Sequence, residues 1–387
     1  MIRPIVLIVL LGLGPAAACS DAAGPPSPLH DVLFAVGGEG SSIFVVDPLA
    51  GKLLAHPGPL PIAKIAPVLS GDSSTVFFVG ADQRGAAIYA LDAGSLRLKK
   101  WLDIDSPAAR RMLDGIWLRG SELGTVPGDK YLYTVAYNSD PTQTLPPDAS
   151  RIAVLDTGTR HVVGTIAPLS VKERGFAALP PGPVAPHGAL LAIGTRLRTD
   201  GPSLDTLFVI DPATHDVIDS ALVTPPVARP GGTLVGIIAS PDGRHVYLQH
   251  RDGILYGYDL LTRQVIGPAP LPGRPSNIAI TPDGSRLYAV YGGAPMIFIP
   301  AADSIEVLDA TSLAVLPPIS LLDQAAIGGA PPLVHSVVVS PDGQWLYLAD
   351  GAARQPLRVL VMDRASGKIV RVIPLGDTGG VELLVGR

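Results

Sequence analysis

Apolar and polar residues alternate along this chain in short runs that stop at turn signals, with no helical stripe sustained over ten or more residues. The clearest unit is Ser340-Pro341-Asp342-Gly343-Gln344-Trp345-Leu346-Tyr347. It recurs as Ser240-Pro241-Asp242-Gly243-Arg244-His245-Val246-Tyr247 and as Thr281-Pro282-Asp283-Gly284-Ser285-Arg286-Leu287-Tyr288. Proline pre-sets φ, aspartate bonds nearby backbone and glycine accepts positive φ, so each phrase spells a tight turn. Apolar runs such as Val337-Val338-Val339 precede the turn and an aromatic-centred run follows it, which predicts a repeated β-hairpin. Six residues separate proline from the aromatic, and the same six separate Pro127 from Tyr133 and Gly71 from Phe77. Leu179-Pro180-Pro181-Gly182 reads as a degenerate copy, with an insertion before Ala189–Ile193.

A second phrase, an apolar run ending in aspartate, follows each hairpin. Its seven copies end at Asp47, Asp92, Asp156, Asp211, Asp259, Asp309 and Asp363, spaced 45, 64, 55, 48, 50 and 54 residues. One more short strand follows each, so the aspartate is expected to cap the turn before it, a structural role and not a catalytic one. Four strands in about fifty residues is the size of a β-propeller blade. The first unit begins at Leu33-Phe34-Ala35-Val36, already the second strand of a blade, whereas Val381-Glu382-Leu383-Leu384-Val385 follows the seventh unit without partners. The pattern predicts an all-β, seven-bladed β-propeller whose C-terminal strand completes the first blade and leaves no open edge in the ring.

The length of 387 residues suits such a repeat architecture, and 43 glycines and 40 prolines supply its turns. A net charge of −5 argues against nucleic acid as a partner. The N-terminus changes the picture more. Arg3, the apolar run Ile5–Leu13 and then Gly14-Pro15-Ala16-Ala17-Ala18 carry the marks of a secretory signal peptide. The apolar run is short of the ~20 residues of a transmembrane helix. Residues 1–18 are thus expected to be a signal peptide, 19–29 a lipid-anchored or flexible tether, and 30–387 the propeller. Ala-Ala-Ala-Cys resembles the bacterial lipobox, with Ala16 where leucine is preferred, which would make Cys19 the lipid-modified residue. Ordinary cleavage after Ala18, leaving Cys19 a free thiol, and an uncleaved anchor are the other readings. As Cys19 is the single cysteine, the propeller has no disulfides and no cysteine-based zinc site.

The Ser-Pro-Asp-Gly hairpin followed by the apolar-aspartate strand resembles the YVTN-type propeller repeats of bacterial and archaeal surface proteins. Leu287-Tyr288-Ala289-Val290-Tyr291 and Leu346-Tyr347-Leu348-Ala349-Asp350 stand where that family has Tyr-Val-Thr-Asn. The resemblance spans Leu33 to Val385 and is weakest in the fourth unit. It implies the fold and leaves the chemistry open, because lactonase-like, dehydrogenase-associated and purely structural propellers share it.

Candidate chemistry gathers on the face bearing the loops between second and third strands. Those loops are uneven, with long ones at Asn138–Ser150, Thr195–Asp205, Gly292–Ser304 and Gly351–Pro356, and a long blade-to-blade connection at Ala167–Gly175. Met296, Ile297, Phe298 and Ile299, bounded by Pro295 and Pro300, form either a partner-docking ridge or a segment packed over its blade. Residues entering the innermost strands include Lys64, Arg119, Lys172, Arg174, Arg274 and His335, with Glu122, Glu173 and Glu382 nearby. They could bind an anionic ligand or polarise a carbonyl, or they are solvated charges paired with those glutamates. The eight histidines show no metal-ligand spacing, and no nucleophile elbow, phosphate loop or haem motif is present, so neither metal nor cofactor is expected. The leading expectation is an exported, membrane-tethered, periplasmic or cell-surface propeller that binds or scaffolds other extracytoplasmic proteins without catalysis. One alternative is a lactonase- or lyase-like enzyme using His335, Arg274 and Arg174 at the channel mouth. Another is a docking subunit for a redox partner.

Overall fold

A computed structural model describes residues 9–11, 32–37, 42–59, 67–82, 85–104, 117–137, 150–166, 175–196, 204–223, 234–250, 253–291, 303–322, 324, 332–351, 356–378 and 383–385. Seven antiparallel sheets follow one another along the chain, and each meets the next to form the blades of a β-propeller; the described residues contain no helix. Blades two to seven each have four strands in sequence order. Blade five consists of Leu234–Ala239, His245–His250, Ile254–Asp259 and Gln264–Pro270. Blade six consists of Asn277–Ile280, Arg286–Val290, Ser304–Asp309 and Val315–Ser320. Blade seven consists of Val334–Val339, Trp345–Asp350, Pro356–Asp363 and Lys368–Thr378.

Both repeated phrases fold as turns. In the first, the opening hydroxyl of Ser70, Ser240, Thr281 or Ser340 is buried. It accepts the N–H five residues on at 2.8–3.0 Å and donates to the carboxylate of Asp72, Asp242, Asp283 or Asp342. That carboxylate accepts the N–H two residues on at 2.9–3.0 Å. Charge-assisted bonds of this kind hold Asp283 at about 2, from an ordinary value of 3.8. Neighbouring turns also touch. The Gly128 N–H donates to Gly71 C=O at 2.8 Å, and a Cβ on Gly243, where φ is +65°, would lie 2.5 Å from Pro180 C=O in blade four. In the second phrase every repeat aspartate accepts backbone N–H groups two or three residues on, at 2.6–3.1 Å. The residue four positions on then takes positive φ: glycine at 51 and 367, but Leu96, Arg160, His215, Arg263 and Leu313 in the other blades. The expected capping role of the seven aspartates is met.

The aromatic six residues after the proline position fills the space between blades. Phe77, Tyr133, Tyr247, Tyr288 and Tyr347 are between 0 and 4% exposed. Burial of each is worth roughly 2–3 kcal/mol before conformational cost. Two tyrosine hydroxyls of this layer are bonded at the turn face: Tyr133 donates to Asp129 at 3.1 Å and Tyr247 to Ala310 C=O of the next blade at 2.9 Å.

Ring closure takes the expected form. Leu383–Val385 pairs antiparallel with Val36–Phe34, the second strand of blade one, which continues through Ser42–Asp47 and Lys52–Pro59. Blade seven reaches back to the same blade through Arg371, whose guanidinium donates to Pro48 C=O at 2.8 Å and to Leu49 C=O. A further strand, Val9–Leu11, pairs with Val32–Phe34 and so shares the inner edge of blade one with the C-terminal strand. That short segment belongs to the apolar run read as a signal peptide; the remainder of that run, Cys19 and the tether lie outside the described residues.

The turn geometry predicts opposite effects at two positions. Arg160 is exposed and held at φ 64°, so Arg160→Gly should stabilise by about 0.5–1 kcal/mol in denaturant unfolding. Gly243→Ala combines positive φ with a backbone clash and should destabilise by about 1–3 kcal/mol.

Candidate functional site

The loop face differs chemically from the turn face. Ten residues after Ser240, Thr281 and Ser340, where the second strand reaches the loop face, stand His250, Tyr291 and Asp350, which are 0, 4 and 1% exposed. Blades two, three and four carry Gly80, Ala136 and Gly194 at the equivalent place. Blades five to seven therefore form a sector with larger, hydrogen-bonding side chains at a position that is glycine or alanine in blades two to four.

Asp350 is the centre of that sector in blade seven. Antiparallel register sets it directly opposite Arg358 and beside Val334. Its carboxylate accepts the Leu333 N–H at 2.8 Å and the Arg358 Nε–H at 2.8 Å, with a second bond from the other arm of the guanidinium. The Asp350 side chain is fully buried and that of Arg358 is 19% exposed. Burial pushes the Asp350 carboxyl above its ordinary range, against the opposing pull of Arg358, the Leu333 N–H and His335. His335 is itself only 2% exposed, and its Nε2 is hydrogen-bonded to Gly351 C=O at the start of the loop after Asp350. His335, Asp350 and Arg358 thus clamp the strand ends that carry the blade-seven loop.

The clamp continues into blades six and five. The Ser276 hydroxyl lies 2.7 Å from His335 C=O and 3.0 Å from Val290 C=O, while Asn277 Oδ1 accepts the Val337 N–H at 3.0 Å where the first strand of blade seven bulges. Gln249 of blade five donates to Pro275 C=O at 2.8 Å. Each contact ties the entry of one blade's first strand to the neighbouring blade. In the low dielectric of these interfaces satisfied polar bonds rigidify, whereas a lost partner is costly.

Among the sequence-predicted residues, the structure describes the side chains of two. His335 is buried in the clamp, and Arg274 is exposed on the connection into blade six, where it has an interaction of its own. Arg119 lies in the strand Trp117–Gly124, of which only the backbone is described at that position. Lys64, Lys172, Arg174, Glu173, Glu382, Met296, Ile297, Phe298, Ile299 and Cys19 lie outside the described residues, as does the side chain of Glu122. Sequence reasoning missed Asp350 and Arg358 as partners of His335. The available signal was Asp350 at the asparagine position of the repeat, with an arginine eight residues on. Among the described residues no group of three or more His, Cys, Asp or Glu could hold a metal ion.

These bonds make the sector part of the frame. Asp350→Ala strands the Arg358 guanidinium and should cost about 3–5 kcal/mol, with Asp350→Leu/Arg358→Met recovering most of it in denaturant unfolding. His335→Ala leaves the Gly351 carbonyl without this partner and should cost about 2–4 kcal/mol.

No protein-family model matches the chain, so the YVTN-type resemblance is not confirmed at family level, and no curated protein matches it. Solved structures do. Kuenenia stuttgartiensis hydrazine synthase is similar at TM-score 0.52 and 16% identity, over 84% of this chain and 91% of that one. The dihydro-heme d1 dehydrogenase NirN, in complex with DHE, is similar at TM-score 0.54 and 13% identity, over 98% and 79%. Apo AztD from Citrobacter koseri is similar at TM-score 0.54 and 15% identity, over 92% and 97%. At these identities the likeness shows the β-propeller fold, on which enzymes and binding proteins alike are built.

Proposed function

We propose that this chain is an exported propeller, tethered to a membrane through lipidated Cys19, that serves as a non-catalytic binding or scaffolding subunit for other extracytoplasmic proteins. One observation carries the reading: a set of buried polar groups of the loop face in blades five to seven fixes the blade ends. His335 and Asp350 engage Gly351, Leu333 and Arg358, and Ser276, Asn277 and Gln249 lock blades five, six and seven together. A rigid seat for uneven loops is what a docking face requires, because a pre-ordered surface binds without the entropic cost of ordering itself. His335, the histidine of the enzyme alternative, is held within the protein.

A photo-crosslinking residue placed at Arg274, exposed on the loop face, tests this against one placed at Gln344, exposed on the turn face. In native envelopes Arg274 should trap a defined protein at least several times more efficiently than Gln344. Equal capture, or capture from Gln344 alone, would contradict the proposal.

A further inference from the structure

The turn after each repeat aspartate lies against the outer strand of the preceding blade, and the residue four positions on decides what fills that contact. Arg263 of blade five donates to Asp219 of blade four at 2.7 Å. Leu313 of blade six is 3% exposed, and its Cδ1 lies 2.9 Å from where a Cβ on Gly267 of blade five would stand. In blade one the position is Gly51, and Arg371 of blade seven takes up the space, its Cδ 2.6 Å from where a Cβ would stand. Blade seven has Gly367, at φ +64° beside Ile319 of blade six. Here the contact is not filled: Gly367 and Ile319 are walls of a groove of about 570 Å³. Gln324 fixes the two walls together, donating to Gly367 C=O at 2.8 Å and accepting the Ile369 N–H at 3.0 Å.

The groove carries charge of one sign. Arg364 and Lys368 line it, and among the described residues no acidic side chain does. Arg364 also breaks the repeat. The residue just after the repeat aspartate is Pro48, Ala93, Thr157, Pro212, Leu260 or Ala310 in the other six blades. Its backbone task is the same in blade seven as in Ala93, Thr157, Leu260 and Ala310, an N–H donated to the blade's first turn, so the turn does not call for an arginine. The guanidinium bonds the Tyr288 hydroxyl of blade six, and with five N–H donors it has others to offer. We propose that this groove binds a small organic carboxylate with a short apolar body. The Arg364 fork matches the carboxylate, Lys368 adds charge, and Pro318, Ile319 and Ile369 cover the apolar part. The volume lies within the range of about 300–1,000 Å³ usual for small-molecule sites. The site is on a different face from the proposed docking surface and stands independently of it.

The test is ligand-observed NMR on the intact protein, with hexanoate as probe and its neutral analogue hexanamide and inorganic phosphate as controls. Hexanoate should bind with a dissociation constant on the order of 1 mM at low salt, and each control about fivefold or more weakly than that. Added salt should weaken hexanoate, since both cations are reached by solvent. Lys368→Gln should weaken it roughly threefold, and Arg364→Lys, which keeps the charge and loses the fork, roughly fivefold. Gly367→Leu places in the groove the side chain that Leu313 places between blades five and six, and should abolish binding. If that variant does not fold, Lys368→Gln and Arg364→Lys decide. No binding of hexanoate, equal binding of hexanamide or phosphate, or unchanged binding in both charge variants would overturn the inference. An Arg364 that only ties blade seven to Tyr288 would give a lower melting temperature in Arg364→Lys with no hexanoate binding in the parent protein.

Discussion

An innermost β-strand without a neighbour exposes a row of unpaired backbone N–H and C=O groups, and a seven-bladed ring tolerates that nowhere around its channel. The rest of this structure depends on satisfying that constraint where the ends of the chain meet. Blade one is built from both termini: its outer strands come from the beginning of the chain, and Leu383–Val385 adds to their inner edge from the far end. Blade seven then packs onto blade one, so that Val338, Tyr347, Val359 and Val361 share a core with Phe34, Phe44 and Val46. A strand of three residues thereby converts seven stacked sheets into a closed body.

Within the ring, each hairpin is set by local chemistry that tolerates drift. Asx-type bonding from one aspartate per blade survives even where the left-handed residue four positions on is leucine, arginine or histidine instead of glycine. The hydrogen bonds of the aspartate offset the backbone strain, about 1–2 kcal/mol for an L-residue at positive φ. The spacing between copies can vary from 45 to 64 residues because the extra length falls between the turns.

Most of the fold was legible in the sequence, and for a physical reason. Ser-Pro-Asp-Gly and the terminal aspartate are local codes, read within eight residues, and their count gave seven blades; the missing first strand and the orphaned Leu383–Val385 then implied closure. The site was less legible. His335 stood out as a cation entering an innermost strand, yet its burial follows from Asp350, Arg358 and Ser276, which are near it only through strand register and blade packing. The turn face is governed by local bonding and the loop face by non-local bonding, which is why one could be read from the chain and the other could not.

The closing strand is the most direct test. Deletion of residues 379–387, followed by equilibrium denaturation and amide hydrogen exchange, measures what the strand contributes. The account predicts a loss of about 3 kcal/mol or more, from three ladder residues and the edge they cover, with exchange protection lost at Phe34, Ala35 and Val36 and the loss extending into blade seven. An unchanged unfolding midpoint with protection retained at Phe34, Ala35 and Val36 would contradict it.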